Sequence, residues 1–198
     1  MTMQTNNLKK IAAERAVEEI KPGMVVGLGT GSTFQFALER IAEKIKSGEL
    51  YNIVCIPSSD RTEKEAKRLG IPLANLNEEC RKQNAELNNS KHVIIDIYID
   101  GADEVAVSNQ ERSEGSINLI KGGGGALLKE KILTQASKQF YVIVDESKIS
   151  NYLGEKFFVP IEVIKFASDV EEKFIQSLGA ITSSRKNADG ERHITDQG

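Results

Sequence analysis

Residues 93–99 (VIIDIYI) form an almost unbroken apolar run that ends at Asp100. Strict polar–apolar alternation marks a strand wet on one face; a near-continuous run marks one covered on both. Parallel strands need crossover connections, usually helices, and segments with helical spacing stand between the other apolar runs. Leu8, Ile11, Ala12 and Ala16 recur at helical spacing until Lys21-Pro22-Gly23 stops them. Short strands are expected at 24–28, 51–57, 71–76 and 140–144, and helices at 33–46, 61–69 and 126–137. Ser58 to Asp60 offer caps for the helix at 61–69, and Gly70 ends it. The expected fold is α/β, a Rossmann-like, mostly parallel sheet flanked by helices, over residues 1–154.

Two stretches, 80–91 and 108–116, have almost no apolar content and read as surface loops. From about residue 155 the character changes. Residues 157–164 (FFVPIEVI) read as a strand broken by Pro160. Ser168 and Glu171 have the spacing of a capping box before a helix to Leu178. Residues 180–184 and 192–195 suggest a hairpin. The expectation is a smaller α+β domain over 155–198, apparently truncated, because one helix and two strands make a poor isolated unit.

The chain has 198 residues and a formal net charge of −3, with no long basic run. That argues against a general grip on nucleic acid, which needs many phosphate-neutralising side chains. No apolar run approaches the roughly 20 residues of a membrane span, and the first residues lack the apolar core of a signal peptide. Cys55 and Cys80 imply neither a disulfide framework nor a zinc site. A cytoplasmic protein with no nucleic-acid or membrane partner is expected.

Three places carry chemistry. Gly29-Thr30-Gly31-Ser32-Thr33 lies where a strand turns into a helix; its glycines allow close backbone approach and its hydroxyls add donors, so it reads as a phosphate cradle. It is neither a Walker loop nor the dinucleotide fingerprint, and the plainer reading is a tight turn capped by Ser32. Asp100 and Asp103 flank Gly101 and Ala102 at the end of the central strand. Paired carboxylates hold sugar hydroxyls, bind metal or move protons; they also cap turns. With only His92 and His193, neither in a ligand-like cluster, no metal is expected. Lys121 precedes Gly122, Gly123, Gly124 and Gly125, and Glu130 follows one turn into the next helix, where Leu127, Leu128 and Ile132 are expected in the core. A lysine there offsets charge developing on oxygen, although a hinge and a solvated helix acid are the plainer readings of loop and glutamate. A cradle, hydroxyl-binding acids, a cation and one glutamate suit proton transfer beside a sugar carbonyl.

The segments GLGTGST (27–33), IPSSDRTEKEAKRLGIPL (56–73), DGADEV (100–105), LIKGGGGALLKEKI (119–132), VDESK (144–148) and VPIEV (159–163) resemble, in order, the type A ribose-5-phosphate isomerases. The resemblance implies interconversion of D-ribose 5-phosphate and D-ribulose 5-phosphate in the pentose phosphate pathway, without metal or organic cofactor, by a homodimer or homotetramer. It implies Glu130 as the general base and Thr30, Gly31, Ser32 and Thr33 as the substrate loop, with Ser32 and Thr33 on phosphate. Asp100, Gly101, Ala102 and Asp103 would hold substrate hydroxyls, and Lys121, Gly122, Gly123 and Gly124 would lie beside the reacting end. Lys148 would be a further contact and Lys9 a phosphate partner. Asp100, Asp103 and Lys121 join Glu130 as catalytic candidates. The two polar stretches look like insertions, and the family's chain continues past the point where this one stops. The alternatives are a non-catalytic sugar-phosphate sensor, an amino-sugar-phosphate deaminase, or an inactive truncated member.

Overall fold

The computed structural model describes residues 3–87, 94–107 and 117–197. Four strands form a wholly parallel sheet in the order β2-β1-β3-β6: β1 (Val25–Leu28), β2 (Val54–Pro57), β3 (Ile95–Asp100) and β6 (Ser137–Val142). The helices are α1 (Met3–Val17), α2 (Ser32–Lys46), α3 (Asp60–Arg68), α4 (Leu76–Leu87), α5 (Leu127–Gln135) and α6 (Ser168–Ser177). The central strand is covered on both faces, as its composition requires. Ile97 and Ile99 pack with Ala13, Val17, Phe34, Leu38 and Ile41 of α1 and α2. Tyr98 points the other way, toward Leu133 and Ala136 around α5.

From β1 the chain moves to β2 on one side and later to β3 on the other. The β1/β3 boundary is therefore the point where strand order reverses, the place outside the carboxyl ends of the strands where open α/β sheets bind their ligands. Gly29-Thr30 leaves β1 at this boundary, beside Asp100 at the end of β3.

Several expectations are corrected. Residues 71–76 do not form a strand: only Leu73 bridges to Cys55. Pro72 has no N–H to extend a ladder, and the Asn75 side chain accepts from Asn77 N, so a helix begins at Leu76. That helix, α4, takes in residues 80–87 of the first polar stretch. Arg, Lys, Gln, Ala and Glu are good helix formers, and polarity alone did not mean a loop. Residues 88–93, including Val93 and His92, and the stretch 108–116 lie outside the described residues.

A second sheet stands where none was expected. β4 (Glu104–Val107) pairs antiparallel with β5 (Ile117–Ile120) and parallel with β7 (Ile149–Ser150). Such strands are too short to show a period. The smaller mixed sheet thus arises within 104–150, and the 155–197 stretch supplies no strand to it. Residues 157–164 form no strand, with Phe158, Val159, Ile161 and Ile164 exposed. The expected hairpin is a single bridge between Lys186 and Arg192. α6 forms, but its N-cap is Ala167 with no side-chain bond, so Ser168 is not a capping-box residue; its hydroxyl donates to Asp169 instead. Likewise Gly31, not Ser32, is the N-cap of α2. On α5, Leu128 and Ile132 are exposed, while Glu130 and Leu133 face inward.

Candidate active site

Asp100 is the hub. It is completely buried, so its oxygens need partners. Oδ1 accepts from the backbone N–H groups of Thr30 (2.9 Å) and Gly101 (2.7 Å). Oδ2 accepts from the Tyr98 hydroxyl and lies 2.9 Å from Lys121 Nζ. Position 29 must be glycine: a Cβ there would stand 2.4 Å from Asp100 Oδ1 and 2.5 Å from the Ile99 carbonyl oxygen. Gly27 plays the same part for Tyr98, whose ring lies 2.6 Å from where a Cβ would be and stacks on Phe140. Burial, then the Asp100 charge, pushes the Tyr98 phenol far above its usual range, so it stays a donor.

Lys121 joins this hub to Glu130. Its Nζ also donates to the Gly101 carbonyl, at 2.5 Å, and lies 3.6 Å from Glu130 Oε1. Glu130 enters through the first turn of α5, and its residue is only 6% exposed. Oε2 is buried and has no hydrogen-bond partner among the described residues, a state that normally calls for an explanation. Burial pushes this carboxyl up to about 7; Lys121 opposes the rise, and the charges of Asp100 and Asp103 add to it. A carboxyl titrating near neutrality suits a group that takes and returns a proton.

The glycine loop completes this end. Asp103 N–H donates to the Ile120 carbonyl, and Asp103 Oδ2 accepts from Gly123 N at 2.8 Å. Gly122 has φ 95°, and a Cβ on it would meet Leu127 Cβ at 2.4 Å, so the turn into α5 requires glycine. Gly124 is exposed and has open space where a Cβ would be. Gly101, Ala102 and Asp103 are half-buried along the same edge.

The hydroxyls of the 29–33 loop point in different directions. The Thr30 hydroxyl turns inward, bonding Ser59 (2.8 Å), Ser58 (2.9 Å) and Thr62 (3.2 Å), and Thr62 donates to the Gly29 carbonyl. This knot ties the loop to the head of α3. Ser32, on the first turn of α2, points elsewhere and accepts from Lys9 Nζ at 2.9 Å. Lys9 is only 4% exposed and lies 3.9 Å from Asp145 Oδ2. Gly31 leaves the start of α2 without a side-chain cap, and Thr33 is half-buried in that turn. Lys148 closes a short 3₁₀ turn capped by Asp145, its Nζ 6.0 Å above the Phe157 ring.

The tertiary structure therefore joins Thr30, Asp100, Gly101, Lys121 and Glu130 through direct contacts, pairs Asp103 with Gly123 in the adjoining loop, and gathers Ser32, Lys9 and Asp145 in a further group. An open hollow of about 660 Å³ on α2 and α3, lined by Gln35, Arg61, Lys64, Glu65 and Arg68, contains none of them. Sequence reasoning missed Tyr98, Ser58, Ser59, Thr62 and Asp145. Tyr98 had a signal, because residues i and i+2 of a strand share a face. Among the described residues no set of three His, Cys, Asp or Glu side chains is grouped as metal ligands.

A buried, near-neutral glutamate beside a lysine, at the switch point of a parallel sheet, is the equipment of an aldose–ketose isomerase. The profile of the family described as ribose 5-phosphate isomerase A (phosphoriboisomerase A) matches residues 54–198. The chain is 50% identical to a ribose-5-phosphate isomerase A from Desulfatibacillum aliphaticivorans, over 99% of this chain and 76% of the relative. It is similar to a D-ribose-5-phosphate isomerase structure in complex with phospho-erythronic acid, with a TM-score of 0.83 and 37% identity over 99% of this chain and 77% of that one. It is also similar to the ribose 5-phosphate isomerase of Plasmodium falciparum, with a TM-score of 0.81 and 42% identity over 97% of this chain and 75% of that one. The chain belongs to the ribose 5-phosphate isomerase A family.

Proposed function

We propose that this chain interconverts D-ribose 5-phosphate and D-ribulose 5-phosphate, with Glu130 as the base. The observation that carries the assignment of the base is the unpartnered, buried Oε2 of Glu130 next to the Lys121 ammonium. In its ionised form Glu130 takes the proton from C2 of the open-chain aldose. The electron pair left on C2 forms the C1–C2 double bond, and negative charge moves onto the C1 oxygen. Lys121 stabilises that charge, with its ammonium held in place by Asp100 and the Gly101 carbonyl. After a proton passes between the two oxygens of the enediol, Glu130 returns its proton to C1 and the carbonyl forms at C2.

Asp100 already has all its contacts inside the protein, so it orients Lys121 and the Thr30 loop. Asp103 is half-buried and remains the acid for a substrate hydroxyl. The phosphate sits at the uncapped start of α2, on the N–H groups following Gly31, the Ser32 hydroxyl and Lys9, with Thr33 beside them. Lys148 adds a cation at the edge. The proposal extends to a cytoplasmic homodimer or homotetramer in the pentose phosphate pathway. Cys55 is a buried thiol, which suits a reducing compartment, and light scattering tests the assembly.

The experiment is turnover of ribose 5-phosphate in the presence of EDTA, for this chain and for Glu130→Gln. Removal of a general base costs ~10²–10⁴-fold in rate. Equal rates for the two proteins exclude Glu130 as the base. A folded chain that binds the sugar phosphate without turning it over would instead support the sensor reading.

A further inference from the structure

Four consecutive glycines are the least self-ordering segment a loop can have. Yet the loop at 122–125 must hold still, because Gly123 N orients Asp103 and Lys121 leads directly into it. Its inner side is anchored by that bond. Its outer side is anchored by residues far along the chain. Arg185 Nη1 donates to the Gly123 carbonyl at 2.6 Å. Phe157 packs so closely that a Cβ on Gly123 would lie 2.7 Å from its ring. His193 Nε2 stands 2.9 Å from where a Cβ on Gly125 would be, and His193 is itself aligned by its N–H bond to the Arg185 carbonyl and by Asn187. Asp196 N–H approaches the Gly125 carbonyl at 3.4 Å, while Asp196 Oδ2 accepts from Asp60 N at the head of α3.

We propose that Arg185 is a positioning residue for the isomerisation, clamping the Gly123 peptide from outside so that the loop presents Asp103 and Lys121 in register with Glu130. The proposal rests on the isomerase reading above. Gly123 is held through both of its peptide groups: its N–H by a carboxylate, its carbonyl by a guanidinium. Charge-assisted bonds of this kind are the stronger and shorter class. Arg185 is exposed and reaches the loop without contributing to the core, so its loss releases the Gly123 carbonyl and leaves the fold standing. The Asp196 bridge ties the end of the same segment to the head of α3, where Ser59 and Thr62 hold the Thr30 loop.

The test compares Arg185→Ala and Arg185→Lys with the unaltered chain by steady-state kinetics, thermal melting and amide hydrogen exchange. Misplacement of catalytic groups by about 1 Å can cost ~10²-fold. Arg185→Ala is expected to lower kcat/KM roughly 10- to 100-fold, mainly through kcat, because Arg185 touches the loop and not the phosphate end. Arg185→Lys or added guanidinium recovers part of the loss, melting changes little, and the amides of residues 122–125 exchange faster while those of β3 do not. Unchanged kcat/KM overturns the proposal. So does a loss that follows a fall in melting temperature and is not rescued by lysine or guanidinium. If the unaltered chain shows no turnover, the isomerase reading has failed. Amide exchange then decides the clamp alone: unchanged exchange in Arg185→Ala refutes it, and faster exchange confined to the loop supports it.

Discussion

Replacing Glu130 with glutamine should make the protein more stable at pH 8 while removing its activity. The carboxyl is raised from 4.5 to about 7 by burial, with Lys121 offsetting only part of the effect. The folded state therefore favours the protonated form. Each pH unit of such a difference corresponds to 1.36 kcal/mol, so full ionisation of Glu130 costs the fold about 3 kcal/mol. Below the unfolded value both states are protonated and the cost is absent. It grows as pH rises from about 4.5 to 7 and is constant above that. Glutamine copies the protonated side chain in shape and cannot ionise. The stability gained by Glu130→Gln should be near zero at pH 4, rise across that window and level off by pH 8. For a chain of this size, about 3 kcal/mol is a rise in melting temperature of roughly 6–12 °C. Urea denaturation at a series of pH values measures it, and other carboxyls cancel because both proteins carry them. A variant less stable at pH 8, or an offset that does not change with pH, would refute the reasoning. Either result would mean that Glu130 is an ordinary paired carboxylate.

Three further outcomes follow from the same geometry. Lys121→Met removes a charge 3.6 Å from Glu130 Oε1; at effective dielectrics between bulk water and a partly buried site this attraction is worth about 1–5 kcal/mol, so the Glu130 titration should move up by roughly one to three pH units, read from its carboxyl carbon by NMR. Gly29→Ala drives a methyl into Asp100 Oδ1 and the Ile99 carbonyl and should cost about 1–3 kcal/mol in a denaturant titration, with loss of turnover as Asp100 shifts. Tyr98→Phe removes a donor from a completely buried carboxylate and should destabilise by about 1.5–3 kcal/mol, measured the same way; an unchanged denaturation midpoint would show that the bond contributes nothing.

The amino-acid order by itself determined the parallel α/β core, because that information is local. The apolar run ending at Asp100, the strand–helix alternation and the glycine turns are all readable within windows of about ten residues. Short-range order also placed Glu130 one turn beyond the glycine loop and Asp100 at the end of a strand. The tertiary structure decided what those residues do. Whether Glu130 is a solvated helix acid or a buried base depends on its distance from Lys121 and on being shut off from water, and neither quantity is written in a sequence window. β1, β3 and the Lys121 loop surround Asp100 with protein donors, a set of contacts that no sequence window shows. The Thr30 hydroxyl was diverted inward by Ser58, Ser59 and Thr62 across about thirty residues of chain. The clamp on Gly123 comes from Arg185, 62 residues away. Backbone conformation is set largely by neighbours in sequence. Burial, pairing and the position of a titration are set by neighbours in space, and only the folded chain brings those together.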